Sequence, residues 1–177
     1  MQQILIPDEV PSIPGFAIES CYISAGEVGG DFFQILPAKG GGLLAVIGDV
    51  SGKGMPAAMT VSPLVGTERT VAHYTEGPGE MLAAMNERML GRCQGGFTTC
   101  LALRIDADGT LTIANAGHLA PYLAGREVAT ENGLPLGLSA ATEYAETHIR
   151  TARQRPPHSA YRRRSWSARL SRRIDGL

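Results

Sequence analysis

The chain has 177 residues, which is enough for one domain with a buried core that needs no disulfide or metal to hold it together. Its three cysteines are odd in number and lack CxxC spacing, so a disulfide framework and a structural zinc site are excluded. No apolar run approaches the roughly 18 residues of a membrane span, and no signal peptide follows Met1. We therefore expect a cytoplasmic protein without a membrane partner.

The net charge of -1 hides two parts of opposite charge. Residues 1–149 contain seven Lys and Arg against 16 Asp and Glu, a net charge of -9. Residues 150–177 contain nine arginines and a single acid, a net charge of +8, and they have no apolar periodicity. We therefore expect a folded domain over 1–149 and a basic tail over 150–177 without independent structure.

The first part of the domain predicts strands followed by two helices. Strand-forming residues occupy 16–23, 32–36 and 43–47, and three glycines at 40–42 predict a hairpin loop. A helix is expected from Met55 toward Val71, kinked or interrupted at Pro63. A second helix ends near Gly91, and we assign its row of Met81, Met85 and Met89 to the core, together with Phe97.

Strands return after the second helix. They are expected over 99–105, 110–114, 119–123 and 142–149, with a turn over 106–109. The order of strands, two helices and more strands favours an α+β domain with largely antiparallel sheets over a βαβ repeat.

Two aspartates stand beside glycines at strand ends. Asp31 follows Gly29 and Gly30, and Asp49 follows Gly48 within GDVSGKG. Glycines allow close approach of backbone and ligand, which suits carboxylates that bind a hard cation. The alternative for each residue alone is structural, since Asp49 can start an Asx-turn and Asp31 can cap a loop.

Two further residues have a functional and a structural interpretation. Lys53, between two glycines, could belong to a phosphate cradle, but the spacing GxxxxGK[ST] of a nucleotide P-loop is absent. His118, in NAGH, is a candidate for proton transfer or substrate contact, and the alternative is a hydrogen-bonded structural histidine.

Five sequence blocks occur together in one order: EVGGDFFQI, GDVSGKGMPAAM, FTTCLALRID, NAGHLAPYL and GLPLGL. In this order they resemble the bacterial PPM-type serine/threonine phosphatase domains of the stage II sporulation E-like subfamily, which regulates sigma factors. The resemblance covers residues 5–149.

The resemblance implies an αββα sandwich of two mainly antiparallel sheets flanked by helices, here C-terminally incomplete. Such domains hold two Mn or Mg ions that activate water for attack on phosphoserine or phosphothreonine. By residue matching, Asp49 would bridge both ions, Asp31 would hold a metal or its water, and the Val50 carbonyl would bind one ion. The catalytic residues would be Asp31 and Asp49, and the substrate contacts would come from Lys53, Asn115 and His118.

The chain also departs from the family pattern. Lys53 replaces the usual histidine, and Gln34 stands where an aspartate is frequent, and we expect both departures to be tolerated. The late TDG and DD or DN blocks are not found in residues 150–177. We therefore expect at most one weakly held ion and little or no activity from this chain.

The basic tail has two interpretations. Reverse translation of Thr151 to Ser165, read one base later, permits an apolar strand followed by Thr-Asp-Gly, so we hypothesise an out-of-frame tail. The alternative is a basic arm for nucleic acid or an acidic membrane, and we expect neither partner.

The resemblance implies a phosphoprotein substrate, an anti-sigma-factor antagonist. It also implies an upstream sensor domain, and a homodimer is a further partner that we consider. The alternative to an enzyme is a pseudophosphatase that binds the antagonist without hydrolysing it.

Overall fold

The computed structural model describes residues 11–23, 29–52, 54–92 and 96–150, together with the backbone of residues 165 and 166. Its elements in chain order are β1 (Ala17–Ile18), β2 (Asp31–Pro37), β3 (Leu43–Val50), α1 (Met55–Val71), α2 (Pro78–Met89), β4 (Thr98–Ile105), β5 (Thr110–Ala116), β6 (Tyr122–Leu123), β7 (Arg126–Glu127), β8 (Glu146–Arg150) and β9 (Ser165–Trp166).

Five strands form the main antiparallel sheet, in the order β2-β3-β4-β5-β8. A second antiparallel sheet consists of β6 and β7, and β1 pairs with β9 in parallel. Both helices contact each other, and they pack on the main sheet, α1 against β2 and β3 and α2 against β4 and β5. The expected α+β class with antiparallel sheets is confirmed.

The main sheet has an apolar side chain layer on each face. The layer beneath the helices is the larger, and it includes Phe32, Val46, Leu64, Met81, Met85, Met89 and Ala102. The opposite layer consists of Leu101, Leu111 and Ile113, with Leu123 and Val128 packed against them. Alternation of side chains along each strand separates the two layers. It also fixes which face each polar residue occupies.

Most predicted elements agree with the structure. The glycines at 40–42 form the hairpin loop with positive φ angles, and the methionine row of α2 is buried in the core. Of the kink or interruption predicted at Pro63, the interruption is wrong, because α1 continues through this residue. Pro63 lies on the exposed side of α1. Because proline has no N–H, the helix loses one backbone hydrogen bond there, and the carbonyl left without its donor is near solvent.

Three further expectations need correction or lie outside the described residues. Phe97 is 40% exposed, so its assignment to the core is wrong. Strand β1 has two residues where a strand over 16–23 was expected. In the tail, Arg150 belongs to β8, and the backbone at 165 and 166 pairs with β1; the remaining tail residues lie outside the described part.

Neither of the two helices in the described ranges is long and apolar enough to cross a bilayer.

Candidate metal centre

Asp31 and Asp49 are direct partners in the register between β2 and β3. Their neighbours Phe32 and Gly48 are buried beneath the helices, so the two aspartates share the opposite face. Residues paired in this way have Cβ atoms about 4.5–5.5 Å apart, and like charges at that separation repel each other. The pair therefore forms an anionic site that a cation would stabilise.

The Val50 carbonyl supplies a third oxygen at this strand end, where it lies against Gly30. The Val50 N–H donates to the Gly30 carbonyl at 3.2 Å, and a Cβ on Gly30 would lie 2.5 Å from the Val50 carbonyl oxygen. Such a contact is too short for any side chain, so this close approach requires glycine. The requirement explains the glycine before Asp31.

Two carboxylates and a carbonyl oxygen are ligands suited to Mg²⁺ or Mn²⁺, so the residues present fit one divalent cation. Within the described ranges, no group of three or more His, Cys, Asp and Glu side chains could hold a metal. The two-ion site expected from Asp31, Asp49 and Val50 therefore stays a prediction.

Thr99 connects this pair to His118. Thr99 is the register partner of Asp49 on β4, and its hydroxyl lies 3.5 Å from the Asp49 carbonyl oxygen. The same hydroxyl lies 3.0 Å from Nδ1 of His118, and the histidine tautomer decides which of the two donates. A row of Asp31, Asp49, Thr99 and His118 therefore runs across one end of the sheet.

Asn115 holds the turn that carries His118. Its side chain is fully buried, its Oδ1 accepts from the His118 N–H at 2.7 Å, and its Nδ2 donates to the His118 carbonyl at 3.1 Å. Nδ2 also donates to the Thr130 hydroxyl at 3.0 Å. These contacts favour a positioning role for Asn115, while its substrate contact stays a prediction.

Gln34, which the sequence also singled out, is not part of this row. Gln34 lies on the helix face, buried, where its Oε1 accepts from Arg69 at 3.4 Å. It therefore cannot substitute for a third carboxylate beside Asp49. Lys53 lies outside the described residues, so its role stays a prediction.

Sequence reasoning missed Thr99 and the reason for Gly30. The signal for Thr99 was a polar residue at the start of an apolar strand, in the block FTTC. Its significance depends on the register between β3 and β4, which places it beside Asp49. Strand composition alone does not reveal a register.

Comparison with known proteins identifies a family and several solved structures of similar fold. The model of the family described as stage II sporulation protein E (SpoIIE) matches residues 39–154, which is nearly two thirds of the chain. The solved RsbU and RsbW domains of Rv1364c from Mycobacterium tuberculosis are 27% identical, with a TM-score of 0.61. That alignment covers 72% of this chain and 37% of the other.

Two further solved structures share the fold. The PP2C phosphatase domain of SpoIIE from Bacillus subtilis is 14% identical over 71% of this chain and 39% of that one, with a TM-score of 0.57. The SiaA PP2C domain of Pseudomonas aeruginosa is 18% identical over 70% of this chain and 52% of that one, with a TM-score of 0.59. The chain thus spans about two fifths to one half of these three solved chains.

Proposed function

Because the chain belongs to the stage II sporulation protein E (SpoIIE) family and has the fold of PP2C-type phosphatase domains, we propose that it derives from a metal-dependent protein serine/threonine phosphatase. The observation that carries the proposal is the cross-strand pair of Asp31 and Asp49 beside the Val50 carbonyl. A bound divalent cation would supply a Lewis acid that activates water and offsets the charge of the phosphoryl oxygens.

The residues of the chain have separate roles in this proposal. Asp31 and Asp49 supply the anionic oxygens, and Gly30 keeps the Val50 carbonyl accessible from the strand end. Thr99 and His118 form a hydrogen-bonded pair next to Asp49 and so fix the end of β4 against β3. The substrate that we propose, from the family resemblance, is a phosphorylated anti-sigma-factor antagonist.

For the chain itself we propose one weakly held ion and little or no turnover. Two neighbouring divalent cations need several anionic oxygens to offset their repulsion, and the described residues contribute two carboxylates. This same count supports a second candidate function, in which the domain binds the antagonist as a pseudophosphatase and does not hydrolyse it.

Calorimetric titration with Mn²⁺, paired with hydrolysis of a serine-phosphorylated antagonist protein, tests these proposals. We expect one weak site that Asp49→Asn removes and that Glu87→Gln, on the exposed side of α2, leaves unchanged. Two tight sites with rapid turnover would refute the limited activity proposed for this chain. Unaltered Mn²⁺ binding by Asp49→Asn would refute the metal centre itself.

A further inference from the structure

Strand β8 forms one edge of the main sheet. It pairs with β5 on one side, and no strand in the described ranges lies along its other side. Its sequence, ETHIR, contains neither proline nor glycine, whereas β2, at the opposite edge of the sheet, ends at Pro37. An open edge presents backbone N–H and C=O groups that can pair with another strand, and proteins block such pairing with proline, bulges or repelling charges. The charges of β8 therefore decide what can pair with it.

The side chains of β8 alternate between the two faces of the sheet. Glu146 lies on the helix face, because its Oε1 accepts from the Gly79 N–H at the start of α2, at 2.8 Å. By alternation, His148 and Arg150 share this face. Ile149 packs against the apolar layer on the opposite face. The helix face of the strand thus carries an exposed acid at its start and an exposed base at its end.

This order of charges is complementary to itself. If two copies of β8 pair antiparallel about a two-fold axis at His148, Glu146 of each copy faces Arg150 of the other. Opposite charges at facing positions stabilise a strand pair, and like charges destabilise it. Moving the axis by one residue in either direction leaves Arg150 opposite Tyr144 or His148, neither of which is an acid. The charges therefore favour one register.

We propose that two copies of this chain associate through β8, paired antiparallel about His148, so that the main sheet continues from one copy into the other. A two-fold axis between antiparallel strands is perpendicular to the sheet, so the helices of both copies lie on the same face. The contact uses neither Asp31 nor Asp49, and it is therefore independent of the proposed metal centre.

The surroundings of Glu146 suit an incoming guanidinium. Its Oε2 lies 3.9 Å from Nε2 of His148, which leaves this oxygen able to accept from a further donor. A cleft of about 420 Å³ opens beside it, and its lining includes the carboxylates of Glu76 and Glu80. Arg150 lies near exposed Asp108 of its own chain and forms no salt bridge among the described residues. Its side chain is therefore available to a second copy.

Sedimentation of the full 177-residue chain over a concentration series tests the association. A pair of five-residue strands is a small interface, so we expect a weak dimer that forms as concentration rises. Arg150→Glu places like charges at both facing pairs and should raise the dimer Kd about tenfold or more. Arg126→Glu, on exposed β7, makes the same change in net charge and should leave the Kd unchanged.

A cysteine at the two-fold axis tests the register. Facing residues have Cβ atoms about 4.5–5.5 Å apart, so His148→Cys should form a disulfide between copies under mild oxidation. The background carries Cys21→Ser and Cys93→Ser, which leaves the buried Cys100. Glu127→Cys, exposed on β7, is the matched control and should stay uncrosslinked.

The outcomes decide between this contact and others. A monomer at every concentration overturns the proposal, and it would leave the edge of β8 to the chain's own residues after Arg150. Equal Kd values for Arg150→Glu and Arg126→Glu, or a dimer that His148→Cys crosslinks no better than Glu127→Cys, assigns association to another surface and also overturns it. If Arg150→Glu loses thermal stability, Arg150→Gln is measured under the same criteria. Mn²⁺ binding should be the same in Arg150→Glu and the parent chain, so failure of the metal centre does not affect this test.

Discussion

The two ends of the main sheet are built from the same strands, yet their polar groups are arranged in opposite ways. At one end, Arg104 donates to the Asp106 carboxylate at 2.7 Å, to the Glu76 carbonyl at 2.6 Å and to the Lys39 carbonyl at 3.1 Å. One side chain thus ties three loops together. At the other end, Asp31 and Asp49 are register partners of like charge on β2 and β3.

The difference favours the Arg104 end for stabilising the fold and the carboxylate end for the function proposed above. The contacts of Arg104 satisfy its guanidinium within the chain, so they need no ligand. At the carboxylate end, two like charges are paired across β2 and β3, and local conflicts of this kind are retained where a ligand resolves them. Three predictions test this comparison, and a prediction on a buried group that belongs to neither end comes before them.

Glu68 carries the largest expected effect, since it is a carboxyl in the core beneath α1. It is fully buried, and neither carboxyl oxygen has a hydrogen-bond partner among the described residues. Burial raises the pKa of Glu68 from 4.5 to about 8, against the opposing Coulombic effect of Arg69. Burial, and then the charge of Glu68, raises the pKa of the nearby Cys100 thiol as well.

A raised pKa in the folded state makes the stability depend on pH. Between pH 4.5 and about 8 the folded chain holds a proton on Glu68 that the unfolded chain releases. The free energy of unfolding should therefore fall as pH rises through this window, by at most about 5 kcal/mol at about 1.4 kcal/mol per pKa unit. Urea unfolding across the window measures the slope. Glu68→Gln should flatten it, while Glu87→Gln keeps it; an equal slope in both variants would contradict the assignment.

Arg104 should give the next largest effect. Arg104→Met keeps the aliphatic length and removes all three hydrogen bonds, which leaves two loop carbonyls without that donor. We expect a loss of about 3 kcal/mol, because hydrogen bonds to charged groups each contribute roughly 1.5–3 kcal/mol and the freed groups regain water. Thermal or urea unfolding measures it, with exposed Arg88→Met as the control. A change within about 0.5 kcal/mol would show that the loops hold together without this residue.

The contrast between the ends also explains what the sequence could predict. The strands and helices follow from apolar periodicity and glycine loops, as in the hairpin between β2 and β3. Asp31 and Asp49 were predicted as site residues from the family resemblance of their sequence blocks, since an aspartate beside glycines alone also fits a structural role. Thr99 and Gly30 were not, since their roles depend on strand register and on a close contact between distant segments. The exposure of Phe97 likewise depends on its pairing with Ser51.

Thr99 should give a smaller effect, confined to the carboxylate end. Thr99→Val keeps the shape and removes the hydroxyl that lies between the Asp49 carbonyl and His118. We expect a stability loss of about 1 kcal/mol, the contribution of a typical hydrogen bond, and weaker Mn²⁺ binding. Thr70→Val is a control with an exposed hydroxyl that bonds only within its helix. Unfolding and calorimetry measure both quantities, and an unchanged Mn²⁺ affinity would separate Thr99 from the metal centre.

Asp31 should give the smallest effect, and one with the opposite sign. Asp31→Asn removes one of two like charges paired across β2 and β3, so without metal it should stabilise the chain by about 0.5 kcal/mol. Mn²⁺ should reverse the order, because a ligand that binds only the folded chain adds about 1.4 kcal/mol at ten times its Kd. The parent chain gains this increment, and the variant gains less since it has lost an anionic ligand. Thermal unfolding with and without Mn²⁺ measures the crossover.

Exposed Asp108, in the turn at the Arg104 end, provides the control Asp108→Asn, which should respond to Mn²⁺ as the parent does. A metal-free loss of stability in Asp31→Asn would mean that the pair is not repulsive, and the distinction drawn between the two ends would fail.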